Sequence, residues 1–251
     1  MTATPDTETP GTSTQRTTRT DGTTRSTRTD GTGSTGSYEP TDLTVPSRSR
    51  DRARYDRETV HSILDAAYIC HLGFVRDGAP VVLPTLFARV GESLYMHGST
   101  GSRPLLAARR SDPGLPVCVT VTHVDALVLA RSAFHHSLNY RSVVVHGTAH
   151  QVTDEAECRI ALDAMVDAVV PGRSADVRPA NSRELAATAV IRVDLAEVSA
   201  KIRSGPVNDD AEDLDLPHWA GLIPVAPAYG TPVPDAGLAP GTAVPDYLSA
   251  L

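Results

Sequence analysis

Three apolar runs separated by two tight turns constrain the fold of this chain more than any other feature. The first occupies residues 68–75 and the second residues 80–90, with Asp77-Gly78 between them. An Asp-Gly pair between apolar runs is typical of a two-residue hairpin. A second turn at Gly91-Glu92 leads into the third run, residues 93–97. The pattern predicts a meander of three antiparallel strands.

Further along the chain, β-branched and alternating residues indicate more strands. They occupy residues 115–122, 141–152 and 187–202, with a weaker segment at 126–131. Gly147, inside one of these strands, suggests a bulge or the close approach of a neighbour. Six strands with short connections and peripheral helices predict a mainly β domain, built as a six-stranded antiparallel barrel.

Two segments have apolar residues at helical spacing. The first follows Asp56 and the second follows Asp154, and aspartate is a favoured helix N-cap. We expect the second helix to end at Pro171-Gly172. Cys158 lies on the apolar face of this helix and is interpreted as a core residue.

Composition divides the chain into three parts. Residues 1–51 are rich in Thr, Ser, Gly and Arg and are predicted to be disordered, residues 52–226 form one globular domain, and the Pro/Gly/Ala-rich residues 227–251 form a flexible tail. No run reaches the roughly 20 apolar residues of a membrane span. The formal charge of −7 argues against general nucleic-acid binding. Three cysteines without CxxC spacing favour a reduced, cytoplasmic protein.

A loop of small residues follows the third strand. Residues 98–102 read Gly-Ser-Thr-Gly-Ser, Arg103 comes next, and Pro104 opens a helical segment. Backbone amides, hydroxyls, a helix N-terminus and a guanidinium together favour a phosphate ligand. The loop matches neither the P-loop nor the GxGxxG pattern, which indicates a different phosphate-bearing cofactor.

Five segments follow one another at a characteristic spacing. They are the opening helix, Pro84-Thr85-Leu86-Phe87, and residues 95–103, 140–147 and 219–224. In this order and spacing the chain resembles the flavin-nucleotide-binding proteins of the pyridoxamine 5′-phosphate oxidase-like group, in the branch that includes nitroimidazole-resistance proteins. The resemblance covers roughly residues 52–226. It implies a split β-barrel of the FMN-binding type and a homodimer with FMN at the subunit interface.

The resemblance also implies a set of site residues. His97 is implied at the active site, as a catalytic and cofactor-contacting residue. Ser102 and Arg103 would hold the phosphate, and Trp219 would close the site. The remaining implied cofactor contacts are Pro84, Thr85, Leu86, Gly98, Ser99, Tyr140, Arg141 and Ser142.

The implied function is an FMN-dependent oxidoreductase that transfers electrons or a hydride to a small molecule, with NADH or NADPH as the candidate donor. The additional basic residues that hold the substrate's phosphate in true pyridoxamine phosphate oxidases are missing, so that specific activity is not expected. Two alternatives stay open: a non-catalytic flavin carrier or sensor, and a split-barrel protein that binds haem or a deazaflavin.

Several histidines have no cofactor role implied by the resemblance. His123, His135 and His136 match no common metal-ligand spacing, so no metal site is predicted. His146 and His150 fall on one strand face, where they are packing residues or, under the haem alternative, candidate ligands.

Overall fold

The computed structural model describes residues 36–110 and 113–249, except for the side chains of Arg103, Leu106, Arg109 and Arg110. In these ranges the strands are β1 (Ala53–Arg54), β2 (Ile69–Arg76), β3 (Ala79–Val90), β4 (Ser93–Ser99), β5 (Leu115–Leu129), β6 (Ser137–Gln151), β7 (Thr188–Asp194), β8 (Glu197–Arg203) and β9 (Gly221–Pro224). The helices are α1 (Arg57–Asp65), α2 (Arg103–Arg110), α3 (Glu155–Val169), α4 (Ser182–Ala187) and α5 (Asp246–Ser249).

Six of the strands close into a ring. Each strand pairs antiparallel with its neighbours in the order β2, β3, β4, β7, β6, β5, and β5 pairs back with β2. The remaining strands extend the sheet, with β8 and β1 beside β6 and β9 beside β5. The predicted mainly β, six-stranded antiparallel barrel is confirmed.

The caps and the first turn form as the sequence predicts. The Asp56 side chain accepts a hydrogen bond from the backbone N–H of Thr59, and Asp154 accepts one from Glu157, each at 2.8 Å. At the β2–β3 turn, Asp77-Gly78 has φ values of 51° and 77°. Positive φ at both central residues is what the tight hairpin requires.

Two strand boundaries differ from the prediction. Residues 115–131 do not form two strands: β5 is continuous, with a register shift between Val124 and Ala126. The predicted strand 187–202 is wrong, because β7 and β8 are separate strands joined at Leu195-Ala196. This turn contains no Gly, Pro or Asn that would mark it in the sequence. It is held instead by the Leu195 N–H, which donates to the carbonyl of Glu92 at 2.8 Å.

The inside of the ring is filled by side chains. Alternate residues of each strand point inward, and Leu94, Val143, Val145 and Val193 have no measurable exposure. A second buried cluster lies outside the ring, where α3 covers β4 through Ala161 and other residues. Burial of each such aliphatic side chain contributes about 1.5–3 kcal/mol. Because the interior is packed, ligand sites are expected on the outside of the barrel.

The chain before residue 52 contributes to this packing. Tyr38 is 3% exposed, and its hydroxyl donates to Glu92 at 2.8 Å and lies 2.9 Å from Nε2 of His61. The guanidinium of Arg57 stacks over its ring at 4.3 Å. Burial and the Glu92 carboxylate raise the pKa of Tyr38, so it stays protonated. The packed region thus begins before residue 52, where composition alone drew the domain boundary.

The tail after residue 226 also makes specific contacts. The hydroxyl of Tyr247 donates to Asp176 at 2.6 Å and accepts from Arg173 at 2.8 Å. None of the helices in the described ranges has the length and apolar character needed to cross a membrane.

Candidate functional site

The loop between β4 and α2 is shaped by packing at Gly98. A Cβ atom at this position would lie 2.7 Å from Cδ1 of Leu105, so the absence of a side chain lets α2 pack against β4. The loop then closes with a hydrogen bond from the Ser102 N–H to the carbonyl of Ser99 at 2.8 Å. Helix α2 begins at Arg103, whose side chain lies outside the described part of the structure. The predicted phosphate site therefore has its helix N-terminus in place.

His97 is half-buried near the end of β4. Its Nδ1 lies 3.1 Å from the sulfur of Met165 on α3. A thioether has no hydrogen to donate, so the hydrogen of this contact belongs to Nδ1 and the lone pair of the ring is on Nε2. Burial lowers the pKa of His97, which keeps the imidazole neutral at neutral pH. His97 thus offers a hydrogen-bond acceptor or metal ligand at Nε2.

A cavity of about 510 Å³ lies between α3 and the outer side of β3 and β4, and is called the α3 cavity below. It is mainly apolar, and His97, Arg173 and Thr188 are the lining residues with side-chain nitrogen or oxygen. The lining residues are Leu86, His97, Leu162, Met165, Val166, Val169, Val170, Arg173, Ala180 and Thr188. Its character suits a large apolar ligand that needs one basic nitrogen.

His97 also lines a smaller cavity of about 170 Å³ at the start of α2, called the α2 cavity. This cavity brings together Pro84, Thr85, His97 and Ser102, all of them sequence-predicted site residues. Leu86 lines the α3 cavity instead. One imidazole therefore lies between two neighbouring cavities, one mainly apolar and one beside the predicted phosphate loop.

A third cavity, of about 480 Å³, lies beside α4 and is called the α4 cavity. It shares Leu162 and Thr188 with the α3 cavity and reaches the phosphate loop at Thr100. Hydroxyl groups of Thr100, Thr153 and Ser182 give it a polar wall. Cys158 also lines it, and burial raises the pKa of its thiol, so this cysteine is a poor nucleophile.

The other predicted site residues lie in a different region. Tyr140, Arg141 and Ser142 are on β6, and Trp219 precedes β9 and is 66% exposed. The Arg141 guanidinium forms a bidentate ion pair with Asp125, at 2.9 and 3.1 Å. In the described chain, none of these residues lines the α3 cavity or the α2 cavity. One chain therefore does not bring the two groups together.

An exposed apolar strip lies on the outer face of β2 and β3, near the turn that joins them. On the outer face of β2 and β3, Val75 and Val82 are 65% and 63% exposed. His71, on the same face of β2, faces Pro84 on β3 and Thr120 on β5. Exposed apolar surface of this kind is typical of an interaction site.

Sequence reasoning missed the contribution of α3. Met165 fixes the ring of His97, and Arg173 lines the cavity, yet both were assigned to a packing helix or to the loop after it. The helical spacing gave Met165 an inward face but did not show which strand it would cover. Of the other histidines, His123 donates through Nε2 to the carbonyl of Ile63 at 2.9 Å, a structural contact.

Comparisons with known proteins show the family and the fold of this chain. A family model described as pyridoxamine 5′-phosphate oxidase matches residues 56–202. The chain is similar to the flavocytochrome Anf3 from Azotobacter vinelandii, with 39% identity and a TM-score of 0.77, over 85% of this chain and 98% of that one. It is also similar to the FAD and haem binding protein from Mycobacterium smegmatis, with 37% identity and a TM-score of 0.74, over 79% and 96%.

A putative 5-nitroimidazole antibiotic resistance protein from Bacteroides thetaiotaomicron matches at 21% identity and a TM-score of 0.49, over 60% of this chain and 86% of that one. A search of the curated proteins gave no match. The family resemblance drawn from the sequence is confirmed.

Proposed function

We propose that this chain is a redox protein that holds a flavin and a haem. The chain belongs to the pyridoxamine 5′-phosphate oxidase family. The observation that carries the proposal is the imidazole of His97, whose Nδ1 contacts Met165, at the wall of a large apolar cavity. Two relatives above 35% identity are a flavocytochrome and an FAD and haem binding protein.

The α3 cavity fits a haem. Haem is a large, mainly apolar disc, and a neutral histidine nitrogen is a common ligand of its iron. His97 supplies that nitrogen, and the contact from Nδ1 to Met165 fixes the plane of the ring, the role that outer partners of metal-binding histidines usually have. Arg173 lines the same cavity and would be the cation for a haem propionate, in competition with Asp176, with which it forms an ion pair at 3.1 Å.

The loop after β4 fits the phosphate end of a flavin. Residues 98–102 and the start of α2 offer backbone amides and hydroxyls, and Pro84 and Thr85 of β3 share the α2 cavity with Ser102. The sequence predicts FMN. The α4 cavity opens beside Thr100 and has room and hydroxyl groups for an adenosine, so FAD is the form we propose.

The second group of predicted residues is proposed to act across a homodimer. The exposed strip at Val75 and Val82 is the proposed interface. Tyr140, Arg141, Ser142 and Trp219 of one subunit would then face the flavin of the other. We also propose a reduced nicotinamide as donor and the cytoplasm as location.

When bound, the flavin exchanges hydride and the haem exchanges single electrons. The chain's own contribution is to hold and orient these groups. His97 presents Nε2 without a proton, Met165 fixes that tautomer, and the aliphatic wall of the α3 cavity, including Val166 and Val169, limits water.

A visible spectrum of the purified protein tests the proposal. We expect flavin bands together with a Soret band, and chromatography of the released flavin distinguishes FAD from FMN. In His97→Ala the Soret band should be lost and the flavin retained. His146→Ala is the matched control, because sequence analysis left His146 as the alternative ligand. A colourless protein, or a Soret band lost only in His146→Ala, would refute the proposal.

Addition of NADH or NADPH distinguishes the redox-enzyme hypothesis from the hypothesis of a non-catalytic flavin carrier. Flavin bands that bleach and then recover in air indicate a redox enzyme. Bands that do not change with either nucleotide favour the non-catalytic flavin-binding alternative.

A further inference from the structure

Two connections far apart in sequence meet at one end of the barrel. After β5, a turn ends in the short 3₁₀ helix Ala133–His135, and after β8 the chain forms the 3₁₀ helix Ala211–Asp213. Asp209 joins them: its carboxylate accepts from the N–H of Arg131 at 3.0 Å and from the Arg131 guanidinium at 2.9 Å. The Asp209 side chain is only 1% exposed, so this anchor is fixed.

Next to this anchor, three ligand groups converge. Nε2 of His135 lies 3.0 Å from a carboxylate oxygen of Asp210. Asp213 completes the group, and the three ligand atoms lie within 4.8 Å of one another. A 3₁₀ helix has three residues per turn, so Asp210 and Asp213, three residues apart, face the same side. Both carboxylates therefore point toward the imidazole of the other connection.

We propose that His135, Asp210 and Asp213 bind a divalent ion of the zinc class and so link the two connections. Zinc binds both imidazole nitrogen and carboxylate oxygen, whereas calcium and magnesium prefer oxygen ligands alone. The two carboxylates carry a charge of −2, which a divalent ion neutralises, and Arg131 is already paired with Asp209. Water completes the coordination.

The ion would order the surface between two exposed aromatic residues. Phe134, which is 88% exposed, stacks edge-on against His135 at 5.1 Å. The segment that carries Asp210 and Asp213 leads to Trp219. The ion's role is to hold these two connections in one arrangement. The proposal does not depend on the flavin or the haem.

The test uses tag-free, chelator-treated protein with Zn²⁺ in calorimetry and Co²⁺ in absorption spectroscopy. We expect a site for one ion whose affinity falls at least tenfold in His135→Ala and in Asp213→Asn. His136→Ala is the matched control: its Nδ1 donates to the carbonyl of Ser132 at 3.0 Å, outside the ligand group, and its affinity should equal that of the wild type.

Thermal unfolding provides the second readout. Zn²⁺ should raise the melting temperature of the wild type and of His136→Ala, but not of Asp213→Asn, whose exchange of oxygen for nitrogen preserves the shape of the side chain. The proposal is overturned if the wild type binds neither ion. It is equally overturned if binding is unchanged in both ligand variants, because the ion then binds elsewhere, or if His136→Ala loses it as well.

Discussion

The region around His97 and the region around Trp219 were assigned to one cofactor site, but they differ in their physical character. At His97 the ring is half-buried, its tautomer is fixed by Met165, and two cavities adjoin it. At Trp219 the side chain is mainly exposed and lies beside Gly221. Arg141, which faces His123 further along β5, forms an ion pair with Asp125.

Under the proposed dimer, the difference separates the half of the cofactor site that one chain builds alone from the half that needs a partner. A cavity needs surrounding apolar walls, and α3 supplies them at His97 within the same chain. The residues of the second group offer hydrogen-bond donors and an aromatic ring, but they are partly or mainly exposed to solvent. They would form a binding site only if another surface covered them. A substitution near His97 should therefore change the affinity for the cofactors. A substitution in the exposed strip should change the affinity between the two subunits.

The largest expected effect is on assembly. In Val82→Asp a carboxylate would enter the proposed apolar interface without a partner, a change that typically costs about 3–5 kcal/mol. We expect dimer affinity to fall at least about a hundredfold, measured by sedimentation at several concentrations.

Ile160→Asp is the control for this change. Ile160 is 56% exposed on α3, which covers Ala88 and Val90 at the opposite end of β3 from Val82, so the variant should remain as dimeric as the wild type. If Val82→Asp stays fully dimeric, the exposed strip is not the interface, and the two regions do not meet there.

The next effect concerns the phosphate loop. Arg103→Ala should weaken flavin binding by about 1.5–3 kcal/mol, the range for a hydrogen bond to a charged partner, without removing haem. Fluorescence titration of the flavin-free protein measures it. Arg54→Ala, which removes an exposed guanidinium that donates to the carbonyls of Asp51 and Ala53, should leave affinity unchanged. If the wild type and both variants bind flavin equally well, the Arg103 side chain does not hold the phosphate, and the backbone amides of the loop would hold it.

A smaller effect is expected from Met165→Leu. The variant keeps the apolar volume but loses the Nδ1–sulfur hydrogen bond, so the ring of His97 is less well oriented. We expect haem affinity to fall by about 0.5–1.5 kcal/mol, visible as faster transfer of haem to apomyoglobin. Leu162→Met changes the same cavity wall and keeps that contact, and it should transfer haem at the wild-type rate. Equal rates in both variants would mean that Met165 only packs.

The smallest effect is expected on the free energy of unfolding, at the ion pair between Arg141 and Asp125. Arg141 and Asp125 are each 37% exposed, and half-exposed pairs of this kind contribute about 0–1 kcal/mol. Arg141→Ala should lower the free energy of unfolding, measured with urea, by less than about 1 kcal/mol. A loss of stability above about 2 kcal/mol would show that this ion pair is important for folding, which the proposal does not expect.

Local signals in the sequence predicted local structure well. Asp56, Asp154 and the Asp77-Gly78 turn form as expected because each acts through backbone groups a few residues away. The Leu195-Ala196 turn was missed because its stabilising contact, from Leu195 to Glu92, joins residues distant in sequence.

The candidate site was predictable in part for the same reason. The loop after His97 is one continuous segment, so its residues could be named from the sequence. Its neighbours Met165 and Arg173 come from another element, and only the packing of α3 on β4 brings them there. The pairing of His135 with Asp210 likewise joins connections that no sequence spacing relates.

Strand β6 serves two purposes at once. Its first half, with Tyr140–Ser142, lies between β5 and β8, and its last two residues close the ring by pairing with β7 at His150 and Gln151. The same strand therefore carries proposed cofactor contacts in its first half and closes the barrel at its end. We expect substitutions along β6 to be constrained at both places, whereas α3 lies outside the ring and can change without opening the barrel.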